Sequence, residues 1–164
     1  FVDVPSVALA GPRIGTLRAT FPLASRGAPA VLAALAIVAT GISGAIAALG
    51  DTLFRASTLR EAIAQDFAPG SHIFLRLRIL HPIIALLGGG LVLLVAYRTI
   101  TSNPDRPKVR QLGLILAGLV VVQWFMGLTN LVLLAPTWLQ IMHLLAADLI
   151  WMTLVLALAD PGRR

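Results

Sequence analysis

The chain contains no cysteine in its 164 residues. That excludes disulfides, iron–sulfur clusters held by thiolates, and haem attached through thioethers. Charge is scarce as well. Asp, Glu, Lys and Arg make up 12% of the residues, against about 25% in a soluble domain. Acids are the rarer sign, 7 against 13 basic residues, for a net charge of +6. On a soluble protein that balance would point to nucleic acid. Here the basic residues sit in loops between apolar runs, which is how membrane proteins set their orientation, so no nucleic-acid partner is expected. What the chain has in abundance is apolar surface: 58% hydrophobic residues and a mean hydropathy of +0.90. Its first expected partner is the lipid bilayer.

A hydrocarbon core about 30 Å thick needs roughly 20 apolar residues in a helix. Four segments qualify: about Ala28 to Leu49, Ile79 to Tyr97, Leu112 to Leu134, and Trp138 to Ala159. The expected fold is an all-α, integral membrane four-helix bundle. Arg13, Arg18 and Arg26 precede the first span. Arg98, Arg106, Lys108 and Arg110 lie between the second and third, and Arg163 and Arg164 end the chain. An even number of spans puts all of these on one side, so both termini are expected in the cytoplasm. Residues 1–27 read as a cytoplasmic linker, with no apolar core of a secretory signal, and residues 28–164 as the transmembrane domain. The outer Gly50–Arg78 loop contains Thr58-Leu-Arg-Glu61, a capping-box pattern. Leu59, Ile63 and Phe67 follow at helical spacing, which predicts a short amphipathic surface helix from Thr58 to about Phe67, closed by Pro69-Gly70.

Of three histidines, His72 falls in the outer loop and reads as solvated. His81 and His143 fall inside spans, where an imidazole is expensive and signals a partner, a ligand or a pathway. Both spans are entered from the outer side, and both side chains come within about one helical turn of the same level. Two imidazoles at equal depth can take both axial positions of one haem iron. Small residues suit a flat macrocycle: Gly41 and Gly44 on the first span, Gly88 to Gly90 on the second, Gly127 on the third, Ala146 and Ala147 on the fourth. The competing explanation is plain small-residue helix packing. Arg76 and Arg78, just outside the second span, are candidates to hold a haem propionate. Gln123 and Asn130 share a face with Gly127 between them, and Asn130 is a further polar candidate near the outer end. Asp148, an acid within the fourth span, has no evident role. No nucleophile–base arrangement and no phosphate-binding loop is present.

Gly50-Asp-Thr-Leu-Phe54, the SHIFLRLRILHP stretch from Ser71 to Pro82, QWFMGLTN from Gln123 to Asn130, and HLLAA from His143 together resemble the haem A synthase family. The resemblance implies one four-helix half of an eight-helix protein. In that family the first half oxidises a methyl group of haem O to the formyl group of haem A. The second half binds a haem b through one histidine at the outer start of its second helix and one in its fourth. Carried over, His81 and His143 are the haem b ligands, haem O is bound elsewhere, and a second four-helix half lies on the same or another chain. The electron donor is unspecified. The first half's histidine pair, its outer-loop glutamate and its cysteine pair have no counterpart, and Arg55 stands where a proline is expected. Two other functions fit the residues alone: a separate b-type cytochrome that only passes electrons, and a haem-free structural subunit.

Overall fold

In a computed structural model the described residues are 27–159. The linker expected over residues 1–27, with Arg13, Arg18 and Arg26, lies outside them except for Gly27, as do Arg163 and Arg164. The described residues form six helices and no strand. These are α1 (Ala28–Leu53), α2 (Leu59–Phe67), α3 (Ile73–Arg78), α4 (Leu80–Thr101), α5 (Pro107–Val132) and α6 (Thr137–Ala159). Four spans are long and apolar enough to cross a bilayer, with α3 and α4 together making one of 29 residues. The protein is a multi-pass membrane protein.

The ends of the helices follow from local chemistry. Prolines open α1 and α5, where the missing N–H is free of intrahelical duty. Pro82 splits α3 from α4. Its ring crowds the carbonyl four residues back, at Arg78, and the helix is interrupted at Ile79. The second span therefore starts earlier than hydropathy alone predicted and is broken just before His81. The α2 helix forms where the capping box predicted it. The Thr58 side chain accepts the Glu61 N–H, and Glu61 in turn accepts the Ser57 N–H at 2.7 Å. Ala62 faces inward, while Ile63 and Phe67 are exposed, as a helix lying on a membrane surface requires. A tight turn joins α5 to α6. Leu134 and Ala135 both take positive φ there, at 58° and 51°, a costly conformation for residues with a Cβ. Two bonds hold it: the Ala135 N–H to the Asn130 carbonyl at 2.7 Å, and the Gln140 amide to the Ala135 carbonyl at 2.5 Å.

The spans form a ring in which α1 lies along α4, α4 along α5, and α5 along α6, while α6 touches α1 more sparingly. This leaves α4 and α6 diagonal to each other. The large, fully buried side chains are Leu116, Leu154, Val92 and Val120. With Ala30, Ala33, Val95, Ala96, Ile150 and Leu158 they form one cluster, running from the middle of the bundle toward its cytoplasmic end. Packing has little hydrophobic force to draw on between helices in lipid, and here it relies on small residues. A Cβ on Gly88 would lie 2.8 Å from Thr40 Oγ1, and one on Gly113 3.1 Å from the Ala96 carbonyl.

Candidate functional site

The outer half of the bundle is built differently. His81, at the start of α4, and His143, in the second turn of α6, enter from diagonal corners. Each is partly buried. Counting from the outer end of each span, His81 is eight residues in and His143 six, a difference of about 3 Å along the axes.

Each imidazole rests over a glycine. A Cβ on Gly44 of α1 would come 3.1 Å from His81 Cε1, and a Cβ on Gly127 of α5 would come 3.3 Å from His143 Cε1. Of the small residues picked out in the sequence, these two serve the histidines. Gly88 serves helix packing, and Gly89 receives the Trp124 indole, which donates to the Ala85 carbonyl at 3.2 Å. Nothing lies within 4 Å of the Cβ position at Gly41 or Gly90.

The hydrogen bonds around the rings select a tautomer. Ser43 is buried and directs its single hydroxyl proton at the Thr40 carbonyl, 3.0 Å away. Its oxygen then accepts from His81 Nδ1, at 3.1 Å. With Nδ1 protonated, His81 Nε2 carries the free lone pair, the form in which a histidine ligates metal. On the other side, the Gln123 amide donates to the His143 carbonyl at 3.0 Å and faces His143 Nε2 at 3.4 Å. An amide N–H can only donate, so this nitrogen too presents a lone pair. His143 Nδ1 is buried without a partner, and so are Gln123 Oε1 and Asn130 Oδ1. Orphaned buried side-chain groups are rare, and these three lie on the outer halves of α5 and α6. Among the described residues no group of three or more His, Cys, Asp or Glu side chains could hold a metal ion. The arrangement is two single imidazoles on diagonal helices, a donor set that suits a planar metal complex better than a bare ion.

The two arginines part company. Arg78 is locked between carboxylates. It donates through Nη1 to Asp51 at 2.7 Å, through Nε and Nη2 to Asp66 at 3.0 and 2.5 Å, and through Nη2 to the Ala62 carbonyl at 3.2 Å. It ties α1, α2 and α3 together over the outer end. Arg76 is exposed and bonds only the Ser71 hydroxyl, at 3.2 Å. His72 caps α3, accepting the Phe74 N–H at 3.3 Å, with its ring against Phe54 and Phe74. Asp51 and Asp66 as partners of Arg78, and Gln123 as partner of His143, are pairings that sequence spacing did not reveal. A weak signal existed for Asp51, an acid inside the GDTLF stretch.

Residues 12–155 match a protein family described as COX15-CtaA, cytochrome oxidase assembly protein. The chain is 42% identical over 139 residues to a protoheme IX farnesyltransferase of Thermus thermophilus, covering 82% of this chain and 23% of the relative. The same figures hold for its counterpart in a second strain of that species. It is 33% identical over 84 residues to a heme A synthase of Shewanella oneidensis, covering 51% of this chain and 24% of that protein. The chain thus spans about a quarter of the length of the curated relatives it matches. No solved structure matches it significantly.

Proposed function

The chain belongs to the cytochrome oxidase assembly protein family, that of the haem A synthases, and from that membership we propose that it is the half of such an enzyme that holds a haem b between His81 and His143. The observation that carries the reading is the pair of diagonal imidazoles at one depth, each over a glycine, with the Nε2 lone pair of His81 free and that of His143 turned to the Gln123 amide. The orphaned Nδ1 of His143 and the unpaired carbonyl oxygens of Gln123 and Asn130 are the kind of groups a bound cofactor and its waters complete. The one cluster of fully buried large side chains lies toward the cytoplasmic end, and at the outer end the buried large side chains are Leu75 and Leu139.

His81 and His143 would hold the haem, which would supply one-electron transfer and not oxygen activation. The chain's residues hold and orient it. Ser43 keeps His81 in the ligating tautomer. Gln123, fixed on the His143 carbonyl, orients that ring. Arg76, with its guanidinium free of carboxylates, is better placed than Arg78 to meet a propionate. Haem O would be bound and oxidised elsewhere, on a second set of spans. Both kinds of named relative act on or make haem, so the stretch they share with this chain is consistent with haem handling. The farnesyltransferase relatives raise a second reading, that this segment serves a polypeptide that also prenylates haem.

The test is a reduced-minus-oxidised absorption spectrum of the protein beside His81→Ala and His143→Ala. A low-spin b-type spectrum that disappears in both variants supports the proposal. A haem-free protein, or a spectrum unchanged by both substitutions, refutes it.

A further inference from the structure

The charged residues of the spans sit at their ends, with one exception. Arg76, near the outer end of the second span, bonds the Ser71 hydroxyl. Asp51 and Arg78 pair with each other at the outer end. Arg98, Lys108 and Arg110 lie in the first or last turns at the cytoplasmic end. Asp148 sits at the midpoint of α6, eleven residues from either end, about 16 Å from each. Its side chain is exposed on the outside of the bundle, with no hydrogen bond or ion pair. A carboxyl at the centre of a bilayer is among the costliest groups to leave facing lipid, and in membrane proteins such groups pair or point into protein. The same face of α6 continues through Leu144, Trp151, Met152 and Val155, all exposed. Trp151, Met152 and Val155, with Leu156, line a shallow groove of about 230 Å³.

We propose that this face of α6 is an interface, and that a transmembrane helix of a second set of spans covers it, presenting a cationic or hydrogen-bond-donating side chain to Asp148. The inference rests on the proposal that the chain works beside such spans; it does not rest on the haem. Charge complementarity selects the occupant. A carboxyl buried between helices is satisfied by a donor. A second copy of this chain docked through α6 would bring Asp148 against its like. The exposed mid-membrane surface of such a copy otherwise offers leucines, valines and glycines, with the Trp151 indole as the nearest donor. The matched relatives are some four times longer than the matched stretch, so proteins of this kind have further chain to supply such a helix.

These 164 residues lack cysteine, so single labels can be introduced in them once any cysteine elsewhere in the full-length protein is replaced. Spin labels at Leu144→Cys and Met152→Cys, one turn either side of Asp148, are compared with labels at Leu35→Cys on α1, Leu87→Cys on α4 and Val122→Cys on α5. Collision with dissolved oxygen is measured in the full-length protein in its native membrane. The expected result is several-fold lower oxygen accessibility for the two α6 labels than for Leu87→Cys. Protection should survive Asp148→Asn, which keeps an acceptor, and be lost in Asp148→Leu. Accessibility on α6 equal to that at Leu87→Cys would overturn the interface. Protection at α1 or α5 instead would mean that the second spans exist but dock elsewhere. Uniform accessibility at all five positions would remove the second spans as well. Strong label-to-label coupling between two copies at Leu144→Cys would replace the proposed partner with a homodimer. None of these readings changes if the protein binds no haem.

Discussion

Arg78 is the most exacting place to test the architecture, because one side chain joins three elements. Its side chain is 13% exposed, that of Asp66 14% and that of Asp51 30%. Arg78→Met keeps the stem and removes the guanidinium, which leaves two carboxylates without their cation. Breaking a buried ion pair costs about 3–5 kcal/mol. Asp51 is partly wet, so the lower end, about 3 kcal/mol, is the reasonable figure. The loss falls on α2. A helix of nine residues is marginal on its own, and its docking depends on the bonds Arg78 makes to Asp66 and the Ala62 carbonyl. At about 1.4 kcal/mol per tenfold, amide exchange in Leu59–Phe67 should accelerate about 100-fold. Amides around Leu116 and Leu154 in the cytoplasmic core should keep their rates. Arg78→Lys should fall between, since an ammonium cannot fork to both acids. Adding Asp51→Asn and Asp66→Asn to Arg78→Met should recover part of the loss by removing the stranded charges. The measurement is hydrogen–deuterium exchange followed by mass spectrometry in a lipid nanodisc. A change of less than about threefold in α2, or equal acceleration in the core, would show that Arg78 is not the pin.

The remaining predictions concern the imidazoles and the glycines. The reduced protein should form no carbon monoxide adduct, whereas His143→Ala should open an axial position and form one; an adduct in the unaltered protein would contradict two histidine ligands. Gly44→Ala and Gly127→Ala should each lower haem per protein chain, the first more strongly because its Cβ meets His81 Cε1 at 3.1 Å against 3.3 Å for the second, at a cost of about 1 kcal/mol or more. Gly41→Ala, with nothing within 4 Å, serves as the neutral control, and pyridine haemochrome assay reads the ratio. Gly89→Ala puts a methyl 2.7 Å from the Trp124 Nε1 and breaks its bond to the Ala85 carbonyl. It should destabilise the bundle by about 1–2 kcal/mol in thermal unfolding in detergent, while Gly90→Ala should be harmless.

The sequence by itself determined the class of protein and the number of spans, because apolar length is read directly against bilayer thickness. It also determined α2, since a capping box is a local device whose partners lie within four residues, and it singled out His81 and His143, since an intramembrane imidazole stands out against an apolar background. The break at Ile79 was available in Pro82, whose steric effect is local, yet hydropathy averaged over it. Tertiary structure decided the rest. Gly44 and Gly88 read alike in the chain; only the ring of helices sets one beneath an imidazole and the other against Thr40. Arg78 read as free to meet an anion, and its engagement by Asp51 and Asp66 depends on contacts 27 and 12 residues away in sequence. Asp148 was legible as a charge in a span, but the side of α6 it occupies is a matter of how α6 turns against α5 and α1. Interactions within one turn of helix are written in the order of residues, and those between helices depend on rotation and register that only packing sets.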